Sequence, residues 1–346
     1  MTAETVPAGP ARKWLVRLRP EVDRLKALLA QHDEVLIFGH KDADGDTLGC
    51  SLAFAEALRA RGKHVSVVIP PPHPEMYHWL PGFEMVLDTP PLGGEVALVL
   101  FFDAGNMERS GSGVRFIADH ATIVNLDHHS SNSRFGDINL IDPDASAVGQ
   151  MCLHLLQDFG WPLSPAMATN LYTALLTDTG GFRHENTTAE ALADASELAA
   201  FGADPGHIAT MVYKSRPLTT LKLSALCLAT MQVELEGRLA WARVTRRMLR
   251  QANAVMAESE GIIDSLNSIA GLDAAILFKE VSGRLTKISV RSRGDVDAAA
   301  LCARFGGGGH LRAAGAEIRL PMAEAVDQVL EAAGLVISDA GGRSQR

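Results

Sequence analysis

The chain has only four cysteines, and no two of them form a C-x-x-C pair. Cys50, Cys152, Cys227 and Cys302 are too widely spaced for a zinc site or for the framework of a disulfide-rich protein. We therefore expect them to be small, buried, reduced side chains in a protein of the reducing cytoplasm.

Long apolar runs and a secretory leader are also lacking. No stretch approaches the roughly 18 consecutive apolar residues of a membrane span. Residues 1–20 contain Arg12, Lys13, Arg17 and Arg19 but no apolar core region, which argues against a secretory signal. We expect this segment to be a loosely ordered lead-in to the first helix, and we expect no membrane partner.

Basic residues are outnumbered, with 32 Lys and Arg against 41 Asp and Glu and a net charge of −9. Residues 1–222 have a net charge of −10, whereas residues 223–346 have a net charge of +1. Coating long duplex nucleic acid requires broad phosphate neutralisation, so the balance argues against that class of protein. The acidic half suits cations, and the other half could face an anionic substrate. The absence of a Walker motif argues against an NTPase.

Residues 25–212 alternate strand-like apolar runs with helix-like stretches. The strand-like runs are Val35–Phe38, His64–Ile69, Val96–Phe102 and Thr122–Leu126. The helix-like stretches are Leu48–Ala60, Val148–Phe159, Pro165–Leu176 and Ala189–Phe201. This alternation predicts an α/β domain with a parallel sheet and helices on both faces. Ligands of such sheets bind beyond the carboxyl ends of the strands.

A break at Tyr213–Lys222 predicts a helical linker to a smaller C-terminal α/β domain. The strands predicted there are Met231–Leu235, Leu239–Thr245, Ala274–Val281, Leu285–Arg293 and Ala316–Leu320. The predicted helices are Ala254–Ser268, Val296–Phe305 and Met322–Ala333. The expected plan is an N-terminal extension (1–24), a first domain (25–212), a linker (213–222), a second domain (223–338) and a tail (339–346).

Four clusters of acidic or imidazole side chains lie at or near the ends of the predicted elements. They are His40–Asp46, Phe101–Asp103, Asp127–His129 and Thr177–Thr179. Carboxylates at the ends of apolar segments are costly without positive partners, and several at one sheet edge repel each other. Divalent metal ions are the economical compensation. The clusters therefore predict a metallohydrolase.

The first cluster reads H-x-x-x-D-x-D. Such a loop can direct His40, Asp44 and Asp46 into one cavity, while Gly45 permits the sharp turn and Asp42 faces solvent. The alternative interpretation is an ordinary turn rich in Asp and Gly.

Asp103 ends an apolar run and has two interpretations. It is either a helix N-cap directed towards Asn106 or Glu108, or a carboxylate that bridges two metals. Arg109 follows and could reach a phosphate, although an arginine is by default solvated.

The D-H-H triplet Asp127-His128-His129 is more specific. Histidine is the commonest neutral metal ligand, and a nearby carboxylate can fix its tautomer. Adjacent side chains of an extended segment point in opposite directions. We therefore expect one histidine to bind metal and the other to face substrate.

A run of four glycines, Gly306–Gly309, precedes His310 and Arg312. Glycines expose backbone N–H groups and let an anion approach closely, as in phosphate-binding loops. His310 and Arg312 would add donors, and an arginine can grip a phosphate with two bonds. The alternative is a flexible loop without a ligand.

Taken in order, these residues resemble the DHH phosphoesterase family, specifically its bacterial branch of nanoRNases that are also 3′-phosphoadenosine-5′-phosphate (pAp) phosphatases. The resemblance covers nearly the whole chain after residue 25. It is carried by G-H-x-x-x-D-x-D at Gly39–Asp46, D-H-H at 127–129, T-D-T-G at Thr177–Gly180 and G-G-G-H-x-x-A-A-G at Gly307–Gly315. Gln150 departs from it, because the family pattern has an acidic residue there.

The resemblance implies two manganese ions, for which Mg²⁺ or Co²⁺ could substitute. The implied ligands are His40, Asp44 and Asp103 for one ion and Asp46, Asp103, His128 and Asp178 for the other. Asp127 would support the ligands. The implied substrate contacts are Arg109, His129, Gly307, Gly308, Gly309, His310 and Arg312. Asp103, Asp127, His129 and Arg109 are thus the predicted catalytic group.

The implied activity is hydrolysis by water that two metal ions activate. Short oligoribonucleotides would yield mononucleotides, and pAp would yield AMP and phosphate. The chain could also form a homodimer. The alternatives within the family are hydrolysis of linear dinucleotides derived from cyclic dinucleotides, single-strand exonuclease activity and pyrophosphatase activity. An alternative of another class is a non-catalytic nucleotide sensor.

Overall fold

The computed structural model describes residues 12–91 and 96–343. They divide into two compact units, whose boundary along the chain lies between Ser215 and Arg216. All four cysteines are free and buried, as expected. In the described part of the chain, no helix is long and apolar enough to cross a membrane.

The first unit is built on a six-stranded parallel sheet. Its strands are β1 (Glu34–Phe38), β2 (His64–Val68), β3 (Val86–Leu87), β4 (Leu98–Phe102), β5 (Thr122–Asp127) and β6 (Ile138–Ile141). The α-helices are α1 (Lys13–Arg17), α2 (Arg19–Gln31), α3 (Gly45–Arg59), α4 (Val148–Asp158), α5 (Pro165–Asp178), α6 (Ala189–Ala200) and α7 (Pro205–Tyr213). The strand order is β3-β2-β1-β4-β5-β6. Strands β2 and β3 are added on one side of β1 and strands β4 to β6 on the other, so the order switches between β1 and β4.

Alternate residues of β1 pack on opposite faces of this sheet, as the pleat requires. Val35 and Ile37 join the large core that includes α2 to α6. Leu36 and Phe38 join a smaller core, where Phe38 stacks on Phe101 with ring centroids 5.1 Å apart. A 3-10 helix, Met107–Phe116, packs against this second face. The predicted α/β class with a parallel sheet is confirmed, and the sequence analysis missed the short strands β3 and β6.

The N-terminal segment corrects one expectation. Residues 1–11 lie outside the described residues, but Lys13–Arg17 is helical and Trp14 is 4% exposed. The Trp14 indole donates a hydrogen bond to Nδ1 of His154 at 3.0 Å. This part of the expected lead-in is therefore packed into the core, because the indole fills an apolar site and its N–H meets an acceptor there.

The second unit has a mixed six-stranded sheet with the order β11-β12-β10-β9-β8-β7. Its strands are β7 (Gln232–Glu234), β8 (Leu239–Val244), β9 (Ala274–Ser282), β10 (Leu285–Ser292), β11 (Gly308–Gly309) and β12 (Ala313–Ile318). Its α-helices are α8 (Leu218–Leu228), α9 (Arg246–Ala252), α10 (Ile262–Asn267), α11 (Ala298–Ala303) and α12 (Met322–Arg343). Helices α8 to α10 pack on one face, whereas α11 and α12 pack on the other. The predicted second α/β domain is confirmed.

Three predicted boundaries differ from the structure. The helix expected at Ala254–Ser268 is divided at Gly261, whose φ of 78° is left-handed. The expected linker ends inside α8, and the expected tail begins inside α12, whose backbone continues to Arg343. Apolar periodicity marks the presence of a helix more reliably than its ends.

Candidate active site

Three of the four acidic clusters follow strands that are neighbours in the first sheet. His40 lies two residues beyond β1, Asp103 directly follows β4, and Asp127 ends β5. Since parallel strands end at one edge of a sheet, these side chains meet there, and β1 and β4 flank the reversal of strand order where ligands of such sheets bind. Asp178, the last residue of α5, joins them.

Asp44 and Asp46 are placed by the beginning of α3. Asp44 is the N-cap, and its Oδ1 accepts hydrogen bonds from the backbone N–H groups of Asp46 and Thr47, each at 3.0 Å. This is a specific capping role, so the interpretation as an ordinary Asp- and Gly-rich turn is insufficient. One donor atom each from His40, Asp44 and Asp103 lie within 4.8 Å of one another.

Asp46 makes contacts that the sequence analysis did not foresee. Its two oxygens accept hydrogen bonds from the backbone N–H groups of Val148 at 2.7 Å and Gly149 at 2.8 Å. These are the first residues of α4, whose N-cap Ala147 offers no side-chain acceptor. A fully buried carboxylate more than 100 residues away in sequence therefore caps this helix, and the positive end of the helix dipole stabilises its charge.

Asp103 occupies the centre of the cluster. Its Oδ2 lies 3.2 Å from Nε2 of His40, whereas its Oδ1 lies 3.8 Å from Nε2 of His128 and 3.5 Å from Nδ1 of His129. Its φ of 58° is left-handed, a strained conformation typical of functional positions. The alternative role as a helix N-cap is wrong, because Asn106 caps the following 3-10 helix.

The two histidines of the D-H-H triplet have different surroundings. Nδ1 of His128 lies 3.0 Å from the carbonyl oxygen of Ala145, which is a hydrogen bond if this nitrogen carries the proton. Its Nε2 then presents a lone pair towards Asp46, Asp103 and Asp178, whose nearest oxygens are 3.9, 3.8 and 3.7 Å away. His128 thus presents one ring nitrogen to three of the carboxylates proposed as ligands.

Asp127 holds the triplet together. Its Oδ1 accepts hydrogen bonds from the backbone N–H groups of His128 and His129 at 2.8 and 3.2 Å, and lies 2.7 Å from Nδ1 of His129. Its Oδ2 accepts a bond from the Asn132 amide at 2.5 Å. With both oxygens engaged in this way, Asp127 orients the two imidazoles.

Burial and mutual repulsion shift the pKa values of the cluster. Burial and the charges of Asp103 and Asp178 raise the pKa of Asp46 well above its usual range. Burial also raises the pKa of Asp178, to about 6. Burial lowers the pKa of His128, but the charges of Asp178 and Asp46 raise it to about 10. These shifts express the cost of placing several carboxylates together, which a divalent cation relieves.

Two family models match the chain: the DHH family N-terminal domain over residues 34–176 and the DHHA1 domain over residues 237–339. The bifunctional oligoribonuclease and PAP phosphatase NrnA of Thermus thermophilus is 31% identical over 334 residues, 96% of this chain and 98% of the relative. The chain belongs to the DHH family. This confirms the expected family and the expectation of a hydrolase.

Two further proteins are similar over most of their lengths. The NrnA protein of Bacillus subtilis is 26% identical over 84% of this chain and 91% of its own. An exopolyphosphatase-related protein from Bacteroides fragilis superposes with a TM-score of 0.83 at 27% identity, covering 91% of this chain and 95% of that protein. The two-domain DHH architecture therefore extends along nearly the whole chain.

The donor set of this DHH protein fits divalent metal ions. Ligands about 2.1 Å from a shared ion lie about 3.0–4.2 Å from one another, which agrees with the separations around Nε2 of His128. These separations are too long for hydrogen bonds. Carboxylates with neutral imidazoles are common ligands of such ions. His40, Asp44, Asp46, Asp103, His128 and Asp178 are the residues available to hold them.

Asp178 has a partner that the sequence analysis missed. The Asn186 side-chain amide lies 3.3 Å from both the Oδ2 and the backbone oxygen of Asp178 and donates to the backbone oxygen of Ser146 at 3.0 Å. The Ser146 hydroxyl donates in turn to the backbone oxygen of Asn186. Asn186 follows the T-D-T-G motif by six residues, and only its proximity in sequence could have indicated this role.

Gln150, which departs from the family pattern, lies in a buried network that borders the cluster through Ser146. Its amide donates to Oδ2 of Asp194 at 2.6 Å, and its Oε1 accepts from the backbone N–H of Ser146 at 2.9 Å. An acidic residue at this position would place a second carboxylate against Asp194. The amide is therefore the side chain that this environment accepts.

Arg109 is half-buried on the 3-10 helix Met107–Phe116. Its backbone oxygen accepts a hydrogen bond from the N–H of Lys41 at 2.7 Å. Burial lowers the pKa of His40, and the positive charge of Arg109 lowers it further. The hydrogen bond that the imidazole donates to Asp103, together with the charges of Asp103 and Asp44, gives a net increase of this pKa. Arg109 therefore belongs to the surroundings of His40.

The glycine run of the second unit is part of a hairpin, which was not predicted; its expected role in binding phosphate stays a prediction. Gly308 pairs with Gly315, Gly309 pairs with Ala314, and the N–H of His310 donates to the oxygen of Ala313 at 2.8 Å. The strand expected at Ala316–Leu320 accordingly begins earlier, at Ala313. Two backbones approach closely here, which requires glycine at some of these positions.

Contacts that a Cβ would make explain which glycines the hairpin needs. A Cβ on Gly307 would lie 2.1 Å from the Gly315 oxygen, and one on Gly309 would lie 2.5 Å from the Ala313 oxygen. A Cβ on Gly308 would meet no heavy atom within 4 Å. The Arg312 side chain donates to the Val296 oxygen at 3.1 Å, which anchors part of its guanidinium within the second unit.

Proposed function

We propose that this chain is a manganese-dependent phosphoesterase. It hydrolyses short oligoribonucleotides to mononucleotides and converts pAp to AMP and phosphate. The observation that carries the proposal is the convergence of four carboxylates and two imidazoles around Asp103 in a chain aligned over 96% of its length with a relative of that named activity.

In this proposal Asp103 is shared between two metal ions. His40 and Asp44 complete the set on the side of Oδ2, and Asp46, His128 and Asp178 complete the set on the side of Oδ1. Carboxylate-rich sites with a minority of imidazoles suit Mn²⁺. When bound, the two ions lower the pKa of water and stabilise charge on the phosphoryl oxygens.

The remaining site residues of the first unit orient one another and neutralise the charge of a substrate phosphate. Asp127 holds His129 through its Nδ1 contact at 2.7 Å, which directs the Nε2 edge of the ring away from Asp127. His129 contacts a substrate phosphate from that edge and stabilises its developing negative charge. Arg109 supplies a second positive charge close to His40.

In the second unit, the hairpin carries the proposed nucleotide contacts. Gly307, Gly308 and Gly309 shape the strand, while His310 and Arg312 supply donors for phosphate. The bond from Arg312 to the Val296 oxygen restrains the guanidinium and leaves its other N–H groups to donate.

Substrate choice is tested by one panel in manganese buffer. The substrates are pAp, RNA of two to about ten nucleotides, a linear dinucleotide, pyrophosphate and long single-stranded DNA. We expect pAp and the shortest RNAs to be hydrolysed fastest. Dominant cleavage of pyrophosphate, or of long DNA, would overturn the proposed substrate class. Binding without hydrolysis of any substrate would indicate a nucleotide sensor.

The role of the hairpin is tested with His310→Ala and Arg312→Ala. Each change should weaken hydrolysis of pAp and short RNA by roughly 10- to 100-fold while sparing a generic aryl phosphodiester, because only nucleotides would use these donors. Equal losses on both kinds of substrate would refute the assignment. Arg304→Ala, an exposed position on the same unit, serves as the control.

A further inference from the structure

Thr47 contacts two of the proposed metal ligands. Its hydroxyl donates a 2.6 Å hydrogen bond to Oδ2 of Asp103, and its backbone N–H donates to Oδ1 of Asp44 at 3.0 Å. Thr47 is fully buried in the third position of α3. A bond of this length from a hydroxyl to a carboxylate is charge-assisted and among the stronger side-chain hydrogen bonds.

The side-chain rotamer of Thr47 is fixed by close packing against Gly39, the residue that follows β1. A Cβ built on Gly39 would lie 2.5 Å from the Thr47 methyl carbon, so only glycine leaves room for that methyl group. With the methyl group against Gly39, the hydroxyl is directed towards Asp103. A threonine with one fixed rotamer loses little entropy when it makes this bond.

The bond distinguishes the two oxygens of Asp103. Oδ2 receives the Thr47 hydroxyl and lies near His40, whereas Oδ1 lies nearest His128 and His129. A carboxylate can be shared between two ions by presenting one oxygen to each, and which oxygen faces which ligands depends on its rotation about the Cβ–Cγ bond. Thr47 restrains that rotation from the side of His40.

We infer that Thr47 is a positioning residue, whose hydroxyl orients Asp103 so that one carboxylate serves two divalent cations. This inference rests on the metal binding in the proposed function. Residues that hold a metal ligand in place typically contribute 10- to 100-fold to metal affinity. Loss of the hydroxyl should therefore weaken the binding of at least one ion by roughly that factor.

The experiment measures Mn²⁺ binding directly. The full chain is freed of metal with a chelator, and the signal of unbound Mn²⁺ is followed by electron paramagnetic resonance during a titration. Thr47→Ala removes the hydroxyl, and Thr47→Ser retains it. Thr173→Ala is the matched control, since Thr173 is equally buried on α5 but its hydroxyl donates to the Thr169 backbone oxygen.

We expect Thr47→Ala to bind at least one Mn²⁺ about 10- to 100-fold more weakly, whereas Thr173→Ala binds as the wild type does. Thr47→Ser keeps the hydroxyl but loses the methyl group that fixes its rotamer, so it should lose clearly less affinity than Thr47→Ala. The Mn²⁺ concentration that half-activates pAp hydrolysis should rise in parallel, with kcat recovering at saturating metal. If Thr47→Ala does not fold, Thr47→Cys, whose thiol is a weak donor, replaces it.

Wild-type affinity in Thr47→Ala would overturn the role of Thr47 and leave the proposed function standing. Equal weakening in Thr47→Ser would also overturn it, because packing and not the hydroxyl would then be responsible. Absence of Mn²⁺ binding by the wild type would overturn the metal-dependent function itself, together with this inference.

Discussion

Two buried acidic regions of the first unit compensate the charge of their carboxylates in different ways. Asp194 is 4% exposed, and its carboxylate receives Gln150 at 2.6 Å, His154 at 2.9 Å and Arg12 at 3.6 Å. Trp14 donates to Nδ1 of His154, which leaves Nε2 of that ring to donate to Asp194. One carboxylate is therefore matched by several donors of the chain itself.

Around Asp103 the proportion is reversed. Five aspartates share three histidines there, and burial with mutual repulsion raises the pKa of Asp46 and of Asp178. Burial also raises the pKa of Asp103, but the hydrogen bond with His40 and the charges of the surrounding histidines together outweigh it and hold that pKa below its usual range. The comparison teaches that a buried carboxylate is not itself a sign of metal. An excess of carboxylates over positively charged and imidazole side chains is the sign.

The largest loss of activity should come from Asp103→Asn, which removes a charge from the carboxylate-rich region around Asp103. We expect pAp hydrolysis in manganese buffer to fall by more than about 1,000-fold, beyond the 10- to 100-fold typical of a supporting residue. The fold should survive, because asparagine tolerates a left-handed φ. Asp42→Asn is the control, since Asp42 is exposed with the same φ of 58°. Retention of a third of wild-type activity would exclude a shared ligand at this position.

Adding a carboxylate beside Asp194 should make that region resemble the carboxylate-rich region around Asp103. Gln150→Glu should lower the free energy of unfolding by about 3 kcal/mol at pH 7, because a second buried carboxylate would face Asp194. The double change Gln150→Glu with Asp194→Asn restores one carboxylate and one amide and should recover most of the loss. Urea unfolding measures both. The penalty should shrink as pH falls, since protonation relieves the repulsion. No rescue by the double change would contradict this account.

Supplying a cation should stabilise the carboxylate-rich region around Asp103. At a Mn²⁺ concentration 100 times Kd, one bound ion adds about 2.7 kcal/mol to the free energy of unfolding. Thermal unfolding with Mn²⁺ and with a chelator should therefore differ in midpoint, and Asp103→Asn should reduce the difference. Arg304→Ala, an exposed change in the second unit, should keep it. An unchanged shift in Asp103→Asn would show that Mn²⁺ binds elsewhere.

The smallest loss of stability is expected in the glycine hairpin of the second unit. There, particular residues are required by close approach of the backbones and not by buried charge. Gly307→Ala should cost about 1–3 kcal/mol in stability, because its Cβ would collide with the Gly315 oxygen. Gly308→Ala, which meets open space, should change stability by no more than about 0.5 kcal/mol. Urea unfolding of the two variants checks the contrast. Equal losses would mean that the hairpin does not require its glycines for close approach.

Local chemistry made much of this molecule predictable. The apolar runs marked four of the six strands in the first unit, because buried parallel strands are continuously hydrophobic. The clusters that contain the six proposed ligands stood out because carboxylates at the ends of apolar segments are costly, and the resemblance to the family supplied the individual ligands. The hairpin at Gly306–Gly309 was not predictable, since a glycine run permits both an anion-binding loop and a close pair of strands.

The sequence by itself determined the two α/β domains, the family, and the residue types gathered at the edge of the first sheet. Periodicity and charge are properties of short segments, so they can be read without a fold. Only the tertiary structure decided that Asp46 caps α4, that Thr47 reaches Asp103, and that Gln150 satisfies Asp194. Those bonds join residues 44 to 103 positions apart, and their partners are chosen by how the helices and strands pack.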